Sequence, residues 1–212
     1  MVRKVISAFE KGYSWFLGTL NHISGLPLLA LRIYLFPIML QAGWKKFAAF
    51  ESTVNWFGNS LDLPFPVLMV VLAGLSEFVG AILLLLGWFT RLVAIPLMVT
   101  MLVAAFLVHG DNGWLITSDA SSWLAGERVI EADKKRDEII DIVREHGNYR
   151  ELTSFGRITM LTNGMKLAIT YFVMLLVLFC FGGGRYVSVD YWLSKGLKRW
   201  KGTDDERKQN FT

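Results

Sequence analysis

A carboxylate interrupts one of the longest apolar stretches of this sequence. Glu77 lies within GLSEFVGAILLLLGW, residues 74–88, where almost every other side chain is apolar. Charged residues inside such stretches are costly to place in a membrane and usually mark an ion, proton or ligand site. Small residues lie one helical turn to either side of Glu77 and permit close helix contact: Ala73, Gly74, Gly80 and Ala81. The sequence therefore predicts that Glu77 points into a helical bundle rather than towards lipid.

Arg32, in another apolar stretch, is the predicted partner of Glu77. A long guanidinium side chain that points inward would bridge much of the difference in depth between the two residues. Two interpretations stay open. The pair is either a buried ion pair that fixes the register of the helices, or a polar site for a headgroup or a proton.

A second polar group is predicted at the opposite mouth of the bundle, formed by Lys45, Lys46, His109, Asp111 and Lys166. His109 shares its helix with Met98 and Met101, and imidazole with thioether is a ligand set that Cu(I) accepts. In the alternative interpretation His109 caps a helix or forms hydrogen bonds at the interface. The two methionines then fill core space.

Several classes of site are excluded by what the sequence lacks. Cys180 is the one cysteine, so intramolecular disulfides, redox pairs and cysteine metal cages are ruled out, and we expect it to be a small buried apolar residue. There is no phosphate-binding glycine loop, no H-E-x-x-H, no G-x-S-x-G and no pair of histidines for haem. The distribution of lysine and arginine does not suggest nucleic-acid binding.

Four apolar stretches are long enough to carry these residues across a membrane, given that a span needs about 20 residues. They are residues 27–44, 65–88, 91–110 and 165–184. The composition agrees, with 53% hydrophobic and only 19% charged residues. The sequence therefore predicts an all-α membrane protein, a bundle of four transmembrane helices with the second and third joined as a hairpin.

Lysine and arginine set the predicted orientation. Seven of them follow the last span, whereas residues 111–162 hold seven basic and ten acidic residues. The positive-inside rule then places both termini in the cytoplasm and the loops 45–64 and 111–162 on the other side.

The chain divides into three predicted regions. Residues 1–24 form an interfacial amphipathic helix, which we expect to be retained rather than cleaved as a signal peptide. Residues 25–193 form the four-helix domain, including a helical extracytoplasmic cap over 111–162. Residues 194–212 form a basic cytoplasmic tail. The cap is either a solvated cover over the bundle mouth or a docking surface for another protein.

These elements resemble the DoxX family of four-helix membrane proteins. Its intramembrane arginine followed by G-x-K is matched by Arg32, Gly43, Lys45 and Lys46. A second motif is matched by Glu77, Gly80, Leu83 to Leu85, Gly87, Thr90 and Arg91. Within that family the chain resembles the HvfX type, on the segments FESTVNWFGN, LPFPVLMVVLAGLSE, IPLMVTMLVAAFLVHGDNGWL, REHGNY and TYFVMLLVLFCFGGGRYVSVDYW. The resemblance covers most of residues 27–193.

Resemblance to DoxX implies a multi-pass protein of the bacterial inner membrane that belongs to a redox system, such as the small subunit of a thiosulfate:quinone oxidoreductase. Resemblance to the HvfX type implies a part in the maturation of small secreted peptides that are modified and bind copper. These resemblances imply quinone and copper as ligands. They imply the lipid bilayer and maturation proteins as partners. Three functions are thus predicted as alternatives: an accessory protein of copper-peptide maturation with a bound quinone, a membrane subunit of a quinone-linked oxidoreductase, and a small transporter with an intramembrane Arg/Glu site. Whether the chain is itself an enzyme stays open.

Overall fold

The structure, a computed structural model, describes residues 2–198. Within residues 2–24, side chains are described at 6, 10–18, 20, 23 and 24. Most of the tail predicted over 194–212 therefore lies outside the described residues.

The described chain is helical. Its α-helices are α1 (Val2–Ile23), α2 (Gly25–Ala48), α3 (Phe50–Asn59), α4 (Pro66–Leu86), α5 (Thr90–Val103), α6 (Glu127–His146), α7 (Tyr149–Leu152) and α8 (Lys166–Phe181). A π-helical turn, Ala104–Val108, continues α5, and a 3₁₀ turn, Gly110–Asn112, follows it. Residues 189–198 are helical as well.

Three helices are long and apolar enough to cross a membrane: α2, α4, and α5 with its π turn. The chain is therefore an integral membrane protein with helical spans, as its composition predicts. The fourth predicted span is shorter than expected, because α8 has 16 residues and reaches only about 24 Å at 1.5 Å per residue. A count of four spans remains a prediction.

Proline and glycine set the ends of α4 and the hairpin that follows it. Pro66 occupies the first turn, where its missing N–H costs nothing. At the other end Gly87 takes a left-handed conformation with φ of 63°, and the Trp88 N–H donates back to the Leu83 carbonyl at 3.0 Å. Only three residues then separate α4 from α5, so the two helices must run antiparallel.

The four apolar helices share one core, to which every one of them contributes. Its buried members are Leu35, Met39, Ala81, Leu84, Leu97, Met101, Leu175 and Leu178. The outward faces of the same helices carry exposed apolar side chains, such as Leu92 and Val99. In water this would be an unusually large apolar surface. On a membrane protein it is the lipid-facing surface.

Two segments predicted as loops contain regular structure: one contains helices, and the ends of the other are joined by backbone hydrogen bonds. Within 45–64, α2 continues to Ala48 and α3 follows it. α3 was not predicted, because its ten residues are too few for a span. Within 111–162, backbone hydrogen bonds tie the ends of the segment together, as in Ser118 N–H to Met160 O at 3.0 Å. The amphipathic helix predicted over 1–24 corresponds to α1.

Candidate functional site

A buried ion pair lies between α2 and α4. Lys46 Nζ donates to Glu77 Oε2 at 2.5 Å. Glu77 is 3% exposed and lies roughly 14–16 Å from either end of α4 at 1.5 Å per residue, near the middle of the span. The Lys46 side chain is 21% exposed, so the pair is accessible from the lysine side and closed on the carboxylate side.

Glycines bring the two helices close enough for this pair to form. A Cβ on Gly43 would lie 2.5 Å from the Phe78 backbone nitrogen, and one on Gly74 would lie 2.7 Å from the ring of Phe47. Gly43 therefore requires glycine, because the clash is with backbone, whereas a side chain at position 74 would require the ring of Phe47 to move. The backbones of α2 and α4 are in direct contact here, as small residues allow in membrane helix pairs.

Arg32 does not pair with Glu77, so that prediction is wrong. The guanidinium is fully buried and donates only to backbone carbonyls. Its acceptors are Leu84 (2.6 Å), Leu85 (2.5 Å), Gly183 (2.8 Å), Tyr186 (3.2 Å) and Val187 (2.6 Å). Arg32 thus joins three parts of the bundle: α2, the end of α4 and the segment after α8.

The error has a physical cause. The last carbonyls of a helix lack the N–H donor that the next helical turn would supply, and they carry partial negative charge, so they attract a cation. Leu84 and Leu85 stand at the end of α4, next to Gly87, and a guanidinium offers five donors in a rigid fork. Glu77 is visible in the sequence as an opposite charge for Arg32, whereas the carbonyls at a helix end are not marked by any residue type.

Asp190 is a structural residue that the sequence reading missed. Its two carboxylate oxygens accept from the backbone N–H groups of Phe89 (2.8 Å) and Thr90 (2.9 Å) at the start of α5. A carboxylate at a helix N-terminus satisfies free donors and the helix dipole. The distance of 100 residues along the chain hides this cap from any local sequence pattern.

The remaining predicted residues of the outer mouth do not join the pair. Lys45 and Lys166 are exposed, and their side chains form no ion pair among residues 2–198. Asp111 is exposed on the 3₁₀ turn after α5. The structure therefore brings Lys46 and Glu77 together and leaves these three charges apart.

His109 follows the π turn that ends α5, a distortion often found at functional positions. Its Nδ1 is buried, with no hydrogen-bond partner in the described part of the chain. Met101 belongs to the apolar core and Met98 packs against it. Within residues 2–198 no three or more His, Cys, Asp or Glu residues are grouped to hold a metal. Copper binding at His109, Met98 and Met101 stays a prediction.

A groove of about 450 Å³ opens on the outer face of α2 and α4. Aromatic and apolar side chains line it together with one amide: Phe36, Pro37, Leu40, Gln41, Trp44 and Phe78. The rings of Trp44 and Phe78 lie 6.2 Å apart. Phe78 directly follows Glu77, so the groove and the ion pair share the same stretch of α4.

The segment between α5 and α8 is charged and solvated. On α6, Lys135 donates to Glu131 at 2.7 Å, and this bond holds the pKa of the Glu131 carboxyl below its ordinary value. Arg136 joins Asp133 and Asp137 and donates to the Ser118 carbonyl at 3.1 Å. Trp123 and Phe155 are nearly fully exposed. The cap thus carries both charge and isolated aromatic side chains on its surface.

Residues 27–110 match the model of the DoxX family. That range holds the Lys46–Glu77 pair, Arg32 and Thr90. Asp190 and the carbonyls after α8 that accept from Arg32 lie outside it. No solved structure shows significant similarity to the chain.

Three relatives overlap the chain in part. The inner membrane protein YphA of Escherichia coli is 37% identical over 93 residues, 44% of this chain and 64% of YphA. Two proteins of Haemophilus influenzae, both described as uncharacterized, are similar. One is 37% identical over 82 residues, 39% of this chain and 58% of its own length. The other is 32% identical over 99 residues, which are 43% of this chain and 62% of its own length. The chain thus covers less than two thirds of each relative.

Proposed function

We propose that this chain is an inner-membrane protein of the DoxX type that holds a quinone-like ligand beside the Lys46–Glu77 pair. Through that ligand it supports redox-linked maturation or handling of a copper-binding modified peptide. The match over residues 27–110 and the similarity to an inner membrane protein support the location. The buried pair is the observation that carries the site.

The pair and the groove together suit an amphipathic ligand with an aromatic head. A charge pair in a membrane interior is costly, and apolar packing in its place is often as stable. A functional role explains why it is present. Trp44 and Phe78 offer ring surfaces for stacking. Lys46, one fifth exposed, is the donor that a ligand carbonyl would meet.

The topology of the proposal follows the charge distribution. α8 completes a fourth crossing, both termini are cytoplasmic and the cap lies outside, where α6 and its neighbours meet a peptide or a maturation protein. α1 lies in the interface, with Trp15 and Phe16 towards lipid. Both side chains are exposed in the structure.

Two alternatives stay open. The chain could serve as the membrane subunit of a quinone-linked oxidoreductase, in which case an electron partner docks on the cap. As a small transporter it would use Lys46 and Glu77 rather than Arg32 and Glu77. The five carbonyl bonds of Arg32 leave its guanidinium no donor for a substrate.

The test is the ligand content of protein purified in mild detergent from its native membrane. Quinone is measured by mass spectrometry and copper by elemental analysis, in wild type, Glu77→Gln and His109→Ala. The double variant Lys46→Met with Glu77→Leu removes both charges together and so avoids an unpaired buried ion. Lys45→Met, at an exposed neighbouring lysine, is the control.

Quinone present in wild type and Lys45→Met, and lost in a folded double variant, supports the site. Quinone retained by the double variant, or absent from wild type, overturns it and leaves the pair as a structural link between α2 and α4. Copper near one equivalent that disappears in His109→Ala would support the metal prediction. Wild type free of copper would reject it.

A further inference from the structure

A second cleft, of about 560 Å³, opens at the end of the bundle where Arg32 binds its carbonyls. Three parts of the chain form it: the start of α5, residues 182–184 after α8, and the helical residues 189–198. Those parts are the ends of two apolar helices and a helix that leaves them. The cleft therefore lies at the border between the hydrocarbon layer and water. The quinone proposal concerns a different site, and this one stands independently of it.

One cation in this cleft is without a partner. Arg91 lines it and is exposed, and its guanidinium forms no hydrogen bond or ion pair among residues 2–198. Asp190, the carboxylate in the same wall, is already engaged by the N–H groups of Phe89 and Thr90. The start of α5 adds partial positive charge, which that carboxylate offsets. The charge left for a ligand is therefore positive.

Backbone donors stand beside the arginine. Gly183 and Gly184 line the cleft, and their N–H groups donate to no acceptor within the described residues. Gly183 is closely surrounded: a Cβ there would lie 2.8 Å from both the Ser188 and the Thr90 hydroxyl oxygens. Gly183 is buried and a side chain there would collide with both hydroxyls, so this part of the cleft wall requires glycine.

The rest of the wall is apolar. Leu92 and Phe181 both line the cleft, and they are 63% and 69% exposed. Each belongs to an apolar helix that faces lipid. Contact with these apolar side chains would not stabilise a free inorganic anion. The acyl chains of a lipid would gain free energy by packing against them.

We propose that this cleft binds the phosphate headgroup of an anionic phospholipid, with Arg91 as its cationic contact and Leu92 and Phe181 against its acyl chains. An arginine offers the phosphodiester two parallel N–H donors. Basic pockets between membrane helices bind such headgroups in this manner. The bound lipid would fasten α5 to the segment after α8.

The test measures lipid binding to the full chain in mild detergent by native mass spectrometry, with phosphatidylglycerol titrated against phosphatidylcholine. Arg91→Gln removes the cation. Ser194→Trp fills the cleft from an exposed position on its rim and leaves the charge unchanged. Lys198→Gln is the matched control, because it removes one positive charge at the same end of the chain from a residue that does not line the cleft. A competition arm adds inorganic phosphate.

We expect wild type and Lys198→Gln to retain phosphatidylglycerol over phosphatidylcholine. Arg91→Gln should bind it about tenfold more weakly, the effect of losing one charge-assisted contact. Ser194→Trp should also bind it more weakly, because the new ring occupies the cleft. Equal losses in Lys198→Gln and Arg91→Gln would overturn the proposal in favour of general attraction to basic residues. Undiminished binding in Ser194→Trp would overturn the cleft as the location. Displacement by millimolar phosphate would show that a free anion, not a lipid, is the ligand.

Discussion

Lys46 and Arg32 meet different kinds of buried acceptor. Lys46, a compact charge on a flexible stem, meets one carboxylate in the middle of α4. Arg32, a planar fork, meets five carbonyls at the end of the same helix. The side chains are not interchangeable, because an ammonium has three donors and no fixed plane. Two predictions follow from this difference.

Removing one partner of the ion pair should destabilise the protein more than removing both. Lys46→Met leaves the Glu77 carboxylate buried and unpaired, which typically costs about 3–5 kcal/mol. The double variant Lys46→Met with Glu77→Leu should recover most of that loss. Thermal unfolding in detergent measures the difference. A double variant no more stable than the single one would contradict this account of the pair.

Arg32→Lys should lower the free energy of unfolding by about 3 kcal/mol or more, because at least two of the carbonyls lose a charged donor. Among these acceptors is Val187, a β-branched residue held at φ of 46°, a conformation that needs support from its surroundings. Arg91→Lys, at an exposed arginine, is the control and should change stability little. Similar melting temperatures for the two variants would refute the special role of Arg32.

At the scale of the helices, the sequence predicts helix bounds well where a proline or glycine marks the end of a helix. α4, and α5 together with its π turn, match the stretches 65–88 and 91–110 closely. Pro66 and Gly87 mark the ends of α4 in the sequence itself. The burial of Glu77 also follows from small residues one turn away. The stretch 165–184 was longer than α8, since three glycines after Phe181 extend the apolar run without extending the helix. Arg32 and Asp190 could not be assigned, because their partners lie far along the chain.

Cys180 shows a further limit of sequence reading. It was expected to be buried, and the structure places it exposed on α8. In a membrane both positions are apolar, so composition does not distinguish the core side of a helix from the lipid side. Only packing does so.

The contact between α2 and α4 should depend on glycine at one position and tolerate change at another. In Gly43→Ala the new methyl would meet the Phe78 backbone nitrogen at 2.5 Å, so the helices would have to separate. We expect a loss of about 1–3 kcal/mol. In Gly80→Ala the nearest atoms, at 3.3–3.4 Å, belong to the side chains of Leu97 and Val93, which can shift.

Melting temperatures of the two alanine variants, measured in the same detergent, provide the test. A larger drop for Gly80→Ala than for Gly43→Ala would mean that the α4–α5 contact, rather than the α2–α4 contact, is the less tolerant one.

At the scale of the whole molecule, the number of crossings decides on which side of the membrane residues 189–198 lie. With four spans the cap and residues 189–198 lie on opposite sides of the membrane. With three, the short α8 would return to the same side as the cap. Orientation from lysine and arginine favours four. Leu175 and Leu178 of α8 are fully buried in the core that α8 shares with α2, α4 and α5, as we expect of a fourth span.

Thiol labelling in intact cells separates the two cases. Cys180 is first replaced by serine, and single cysteines are then introduced as Phe155→Cys in the cap and Lys198→Cys after α8; both positions are exposed. We expect an impermeant maleimide to label the first in intact cells and the second only after permeabilisation. Labelling of both from the same side would contradict four crossings.

The carbonyls that surround Arg32 also bear on how the protein is made. Gly183, one of its acceptors, lies 151 residues further along the chain. While the ribosome synthesises those residues, the nascent α2 enters the membrane with a guanidinium that lacks three of its five acceptors. Arg32 therefore gains its full set of acceptors only after the residues that follow α8 have been translated.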